Sequence, residues 1–365
     1  MKCLREARGS RARTAERSVW EFKLRLKKRT LKTRLDREIE FSALGFGSAP
    51  LGNMHRVLSE EECQATVHAA FDSGVRYFDA APQYGHGLSE MRVGGVLKKL
   101  PRDDVLLSTK VGRLLKPCSA DEVNSGIFID VPQVKIEFDY SYDGVMQSIE
   151  DSYKRLGMDR IDIVYIHDVD MFTHGSAEAS ERRIQEVMAG GYKALDELRK
   201  AGTVRAIGAG LNNWETCQRL TELGQFDCFL LAGRYTLLEQ EALNTFLPIC
   251  ERDGIGIVLG GPYNSGILAT GPIAGATYNY EPASPQVLER VGKIEAVCRG
   301  YGVSLADAAL RFPFCHPSVV SVIPGGQTVD QVLRNRQMMD TVIPNALWLD
   351  LKSEGLLHAD APVPT

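Results

Sequence analysis

This chain lacks any apolar run approaching the roughly 18–20 residues that span a bilayer as a helix, so no helical membrane span is expected. It also lacks a C-x-x-C pair. Its 8 cysteines, Cys3, Cys63, Cys118, Cys217, Cys228, Cys250, Cys298 and Cys315, are scattered through apolar or helical contexts. That argues against a disulfide framework or a structural zinc site, and reads as buried thiols in a reducing compartment such as the cytoplasm. No candidate strand is followed by G-x-G-x-x-G opening a helix, which counts against an open, doubly wound dinucleotide sheet. Cations are scarce over most of the chain. Beyond residue 40 there are 29 Lys and Arg against 41 Asp and Glu, and an acidic body does not suit nucleic acid as the main partner.

The start of the chain is the opposite: residues 1–40 hold 14 Lys and Arg against 6 Asp and Glu. Residues 1–30 are therefore set aside as a basic leader, expected to be unstructured, with a transit peptide or a basic arm as competing readings. A secretory signal is excluded, because no apolar core of about 7–15 residues is present. A chain with 44% hydrophobic and 25% charged residues is otherwise ordinary for a globular protein. Residues 31–357 read as one large domain, and 358–365 as a tail.

From about residue 41, short β-rich runs alternate with longer helical patterns. The strand candidates are Ala43–Phe46, Val75–Phe78, Val105–Thr109, Ile161–Ile166, Val204–Ile207, Cys228–Leu231, Ile255–Leu259 and Val319–Ile323. Ser59 and Glu62 make a capping box, and Gly74, Gly157 and Gly202 stand where helices should stop. Alternation of this kind implies parallel strands joined by right-handed crossovers, and eight units imply a closed (β/α)8 TIM barrel of the α/β class. A hairpin of Leu31–Arg34 with Glu38–Ser42 is expected to cap its bottom, and Asn345–Leu357 to form a terminal helix outside it. Two long connections, residues 112–141 and 271–285, would emerge on the C-terminal face and wall a substrate pocket.

Ionisable residues end several of these strands: Asp79, then Tyr84 in the following loop, Lys110, and His167. Singly, each has a bland explanation: an N-cap, a loop aromatic, a solvated strand end, a satisfied core histidine. Together, on neighbouring strand ends of one rim, they would converge. A phenol titrates near pH ~10, and a lysine ammonium beside it should lower that value. A carboxylate holds the lysine in place, and a histidine orients a substrate oxygen. Such a set moves a proton but cannot accept a hydride, so a nicotinamide cofactor is implied. The glycine-rich loops after strands seven and eight, including Gly261, Gly325 and Gly326, suit phosphate at a helix N-terminus. Asp168, Asp170 and His174 lack the helical spacing of familiar metal ligands, so no metal is expected.

The motifs GVRYFDAAPQYGHGLSE (74–90), LLSTK (106–110), RLGMDRIDIVYIHD (155–168) and IPGGQTVDQVLRN (323–335) resemble the aldo-keto reductase family. The resemblance covers about residues 31–340. It implies an NAD- or NADP-dependent oxidoreductase in which Tyr84 is the general acid/base, Lys110 its tuner, Asp79 the lysine's partner and His167 the substrate-orienting residue. It further implies that Asn212, in GAGLNNW (208–214), holds the nicotinamide carboxamide, and it puts Gly325, Gly326, Gln331 and Asn335 in the cofactor segment. Where NADP-using members carry Lys or Arg for the 2′-phosphate, this chain has Gly325 and Gln331, so NAD is expected to be favoured. Where many members stack an aromatic on the nicotinamide, this chain has Gly260, and Tyr235 or Tyr263 would have to substitute.

Within the family, HDVDMFTHG (167–175), DYSYDG (139–144) and LAGRYTLLEQ (231–240) look most like the branch that oxidises aldoses at C1 to lactones. The expected substrate is a small neutral sugar of the L-fucose, L-galactose or D-arabinose type, with His86, Asp168 and Asp170 as candidates for binding its hydroxyls. Pyridoxal 4-dehydrogenases share much of this pattern, and a non-catalytic, cofactor-sensing barrel is the third reading.

Overall fold

The computed structural model describes residues 26–364. It opens on a hairpin, β1 (Lys28–Lys32) antiparallel to β2 (Glu38–Ser42), with Lys32 opposite Glu38. Alternation decides its two faces: Leu31, Ile39 and Phe41 are buried, whereas Lys28, Lys32, Glu38 and Glu40 face water. Arg29 fastens the hairpin to the barrel, donating to the main-chain oxygens of Phe314 and Val319 at 2.6 Å each. The hairpin therefore begins at Lys28 and takes in residues that composition assigns to the leader. The rest of that leader, residues 1–25, lies outside the described residues.

The barrel units follow in chain order. They are β3 (Phe46–Gly47) with α1 (Glu60–Asp72), β4 (Tyr77–Asp79) with α2 (Leu88–Leu97), and β5 (Leu106–Val111). After β5 comes an extra hairpin, β6 (Arg113–Pro117) and β7 (Val134–Phe138), before α3 (Tyr142–Leu156). Next is β8 (Ile163–His167) with α4 (Ala177–Glu186), which passes through a π turn at Val187–Gly191 into α5 (Tyr192–Ala201). Then come β9 (Ala206–Leu211) with α6 (Trp214–Leu223), β10 (Cys228–Ala232) with α7 (Phe246–Asp253), and β11 (Gly256–Gly260). A short ladder, β12 (Thr277–Tyr278) and β13 (Glu281–Pro282), precedes α8 (Pro285–Gly300) and α9 (Leu305–Arg311). Last are β14 (Val319–Ile323) with α10 (Val329–Met338), and α11 (Asn345–Ser353).

The eight parallel strands run in the order β14, β11, β10, β9, β8, β5, β4, β3. Bridges from Leu44 to Val322 and from Gly47 to Gly325 close the ring. The expected (β/α)8 barrel is the architecture found. Its interior is filled by Tyr77, Leu106, Ile163, Tyr165, Val258 and Val320, with Leu31, Ile39 and Phe41 of the hairpin plugging it from below. A larger apolar layer lies between strands and helices. Local signals agree with the global ones. Ser59 and Glu62 form the reciprocal capping box at α1, and Gly157 (φ 61°) and Gly202 (φ 80°) end α3 and α5 in the left-handed conformation.

Three features go beyond the expectation. The stretch 112–141 is not structureless but carries the β6–β7 hairpin. Helix α9, seven residues long, is too short for its periodicity to stand out from its surroundings. The tail packs down: Ala361 is buried, and the His358 N–H donates to Gln240. All seven described cysteines are free, and Cys63, Cys217, Cys228, Cys250 and Cys298 are buried. No helix among the described residues is long and apolar enough to cross a membrane.

Candidate active site

The C-terminal ends of β4, β5 and β8 are neighbours in the ring, and they deliver Asp79, Lys110 and His167 to one rim. Tyr84 arrives on the loop after β4. That loop is seated by two glycines in backbone contact: a Cβ on Gly52 would lie 2.5 Å from the Gly85 nitrogen, and Gly85 itself has φ +62°. Above the rim lies a cavity of about 650 Å³ lined by Tyr84, Lys110, Arg113, His167, Asp168 and Asn212, among others.

Lys110 is the centre of the arrangement. Its Nζ donates to Asp79 Oδ2 at 2.6 Å and to the Ala80 carbonyl at 3.0 Å, and lies 4.7 Å from the centre of the Tyr84 ring. Asp79 accepts at its other oxygen from Ser108 Oγ at 2.7 Å. A line of hydroxyls continues below, from Ser108 to Tyr77 at 2.9 Å and on to Tyr165 at 3.2 Å. On the far side of Tyr84, the His167 ring stands edge-on, with centroids 6.0 Å apart.

Burial sets the electrostatics. It works against the Lys110 charge, but Asp79 and Tyr84 more than compensate and hold the ammonium above its ordinary value. Burial pushes the Tyr84 phenol up to about 12, although Lys110 pulls it down. The expected net lowering of Tyr84 is thus not what the site produces: enclosure outweighs the cation. Burial, with the Arg113 and Lys110 charges, drives His167 well below its ordinary value, so the imidazole is neutral.

The sugar-binding candidates divide. His86 and Asp168 line the cavity. Asp170 does not: its Oδ1 accepts from Thr173 N at 3.0 Å as a helix cap, and its Oδ2 from Asn212 N at 2.7 Å. Both oxygens of Asp170, expected as a sugar contact, are thus engaged by main-chain N–H groups outside the cavity lining. Phe128 and Phe138 of the long 112–141 connection line the cavity as a pocket wall should, and Arg113, Phe172 and Tyr280, not singled out from sequence, line it too. Arg113 carried one legible signal, its place three residues past Lys110 across Gly112, which has φ +98°. Among the described residues, no group of three or more His, Cys, Asp or Glu is placed to hold a metal.

The expected cofactor residues form a second cluster beyond the cavity. Gly325 has room for no side chain, since a Cβ would meet Pro50 Cγ at 2.7 Å. Thr328 caps α10, and Gln331 accepts from the Gln327 N–H at 2.8 Å, so its side chain folds onto its own loop. Asn335 Oδ1 accepts from the Tyr263 hydroxyl at 2.8 Å, tying the loop after β11 to α10. Gly261 turns that loop at φ 56°. A glycine cradle beside the start of a ten-residue helix, joined to a rim carrying Asn212, fits a dinucleotide. Tyr235 cannot stack on a nicotinamide: it is packed in the core between Phe312 and His316.

The aldo/keto reductase family profile matches residues 43–353. The chain is 38% identical over 332 residues to a pyridoxal 4-dehydrogenase of Microbacterium luteolum, covering 87% of this chain and 94% of that one. It is equally 38% identical, over 321 residues, to a D-threo-aldose 1-dehydrogenase of a Pseudomonas species, covering 86% and 94%. In three dimensions it resembles the holo form of aldo-keto reductase AKR11C1 from Bacillus halodurans, with a TM-score of 0.69 and 24% identity over 92% of this chain and 98% of that one. The barrel, the rim and the matched length agree: this chain belongs to the aldo/keto reductase family of oxidoreductases.

Proposed function

We propose that this protein oxidises the anomeric C1 hydroxyl of an aldose to a lactone, using NAD or NADP. The observation that carries the reading is the Asp79–Lys110–Tyr84 arrangement, facing a neutral His167 across the cavity. When bound, the nicotinamide supplies a hydride acceptor. Everything else falls to the protein. Asp79 fixes Lys110, and Lys110 favours the phenolate of Tyr84. Tyr84 takes the hydroxyl proton as C1 loses its hydride and becomes a carbonyl carbon. In the reverse direction the same phenol, kept protonated at neutral pH by its burial, donates that proton as Lys110 stabilises the phenolate left behind. His167, kept neutral, hydrogen-bonds the reacting oxygen. Asn212 would hold the carboxamide, and Gly261, Gly325, Gly326, Gln331 and Asn335 would hold the rest of the dinucleotide. His86 and Asp168 face the substrate side. The neutral Gln331 and the closed Gly325 site favour NAD over a 2′-phosphorylated cofactor.

A second reading, oxidation of pyridoxal at its C4 substituent, is supported by the aromatic lining of Phe128, Phe138, Phe172 and Tyr280, which suits a flat ring. Seven unpaired cysteines suit a cytoplasmic setting for either reaction. The deciding experiment is turnover with NAD+ and NADP+ against L-fucose, L-galactose, D-arabinose and pyridoxal. Activity on a sugar with none on pyridoxal supports the first reading. The converse selects the second, and no turnover on any selects the cofactor-sensing barrel.

A further inference from the structure

Asp168 follows His167 directly but leaves the strand direction, with its backbone in the left-handed region at φ 47°. It is 7% exposed, and its two oxygens reach three side chains, Oδ2 lying 3.2 Å from His167 Nε2 as well as against Arg113. Oδ2 accepts from Arg113 at 2.5 Å, and Oδ1 accepts from Asn212 Nδ2 at 3.0 Å. The Tyr140 hydroxyl pins the turn, donating to the His167 carbonyl at 2.7 Å and to the Asp168 carbonyl at 3.3 Å. Arg113 belongs to the β6–β7 hairpin, is 6% exposed, and lies 5.0 Å from the centre of the Phe138 ring. Burial pushes the Asp168 carboxyl up, while the Arg113 guanidinium, 2.5 Å from Oδ2, pulls it back and pairs with it as a carboxylate.

An ionised carboxylate only accepts hydrogen bonds. It can receive one from the NH2 end of an amide and none from the oxygen end. The backbone of Asn212 is already fixed, its N–H donating to Asp170 at 2.7 Å and its carbonyl accepting from Arg234 Nε at 2.8 Å. The remaining freedom is the direction of the side-chain amide, and Asp168 decides it.

We infer that Asp168, held by Arg113 of the hairpin, is a positioning residue that turns the Asn212 amide so that Oδ1 faces the bound ligand as an acceptor for an N–H. This rests on the reading of Asn212 as the carboxamide holder, and makes the required ligand group a primary carboxamide with its N–H toward Asn212. The hairpin then contributes to cofactor recognition without touching the cofactor.

The test compares two reduced dinucleotides, the natural one and its 3-acetylpyridine analogue, in which a methyl ketone replaces the carboxamide and carries no N–H. Binding is read by fluorescence titration, apart from activity. The wild type should bind the carboxamide form about tenfold tighter, the size of one lost hydrogen bond. In Asp168→Asn the neighbouring amide can both donate and accept, so the ratio should fall toward one. Because that variant strands the Arg113 charge, the Arg113→Gln/Asp168→Asn double variant provides a folded alternative with the same expected loss of preference. A folded variant that keeps the wild-type ratio overturns the inference. So does a wild type that binds both forms alike. A wild type that binds neither instead overturns the cofactor reading beneath it.

Discussion

Both ends of the barrel bury carboxylates and cations, yet they use them differently. At the N-terminal end, Asp162 accepts from the Leu107 N–H at 2.9 Å and pairs with Arg102 at 2.8 Å. Asp227 there accepts from the N–H groups of Ile207 and Arg34 at 2.9 and 2.7 Å, and pairs with Arg199 at 2.9 Å. Those carboxylates are tied to the main chain and hold strands in register. At the C-terminal end, Asp79 and Asp168 are tied to side chains, namely Ser108, Lys110, Arg113 and Asn212, most of which line a cavity. The lesson is that partner type separates roles that burial alone does not: a main-chain partner marks a joint, and a side-chain partner beside a cavity marks a working group.

This contrast can be attacked directly. The largest effect is expected at Tyr84. Tyr84→Phe should lower kcat by about 10³-fold, within the range for a lost general acid–base group, while Tm and dinucleotide binding stay at wild-type values. A variant retaining full activity would remove Tyr84 from the mechanism. The wild-type oxidation rate should also climb with pH well past neutrality, because the phenol sits near 12 and only its ionised form takes a proton; a rate that levels off near pH 7 would contradict this.

The opposite end should show the mirror image. Asp227→Asn removes one of the two carboxylates on Arg199, leaving Asp196 at 2.5 Å, and weakens the main-chain ties of Asp227; it should cost about 1–3 kcal/mol of stability in denaturant unfolding, with kcat per folded molecule unchanged. A loss of kcat at intact stability would erase the distinction between the two ends.

A smaller effect sharpens the cofactor side. Gln331→Arg should raise kcat/KM for NADP relative to NAD by roughly tenfold, through one charge-assisted bond to the 2′-phosphate. Gly325 is the poorer place for a cation, since Pro50 occupies the space of its Cβ. A wild type already strongly selective for NADP would defeat the premise.

A further effect, read only in the acid range, lies away from either rim. Burial lowers His316 to about 4, below the ordinary imidazole value. The unfolded chain then takes up a proton that the native state refuses, so stability is fully present above about pH 6.5 and declines as pH falls toward 4. His316→Gln should flatten part of that decline; an unchanged acid transition would mean the proton uptake lies elsewhere.

The sequence carried the barrel well, because each strand is a short apolar run between turn signals and each main helix has its own period. The four rim residues were legible because they stand at strand ends inside long, specific motifs. Arg113 was not, because its role depends on a hairpin folding back over the barrel, and nothing local states where Arg113 meets Asp168. The placement of Asp170 was not legible for a related reason: a cap and a ligand look alike in sequence, and only the fold brings the Asn212 N–H to its carboxylate. The Tyr84 shift was misjudged because the pull of Lys110 can be inferred from residue types, whereas the depth of burial cannot.

The buried thiols give the molecule a built-in clock. Burial pushes Cys63, Cys217, Cys228, Cys250 and Cys298 above the ordinary thiol range, so at neutral pH they are both enclosed and protonated. Cys118, at the end of β6, is only partly covered. Among the described thiols, an alkylating reagent should therefore mark the partly covered Cys118 and Cys315 first, Cys118 at a rate set by the hairpin, and reach the interior thiols only as fast as the barrel opens. One mass spectrum taken over time would record the loosening of the pocket wall and the opening of the scaffold as separate rates.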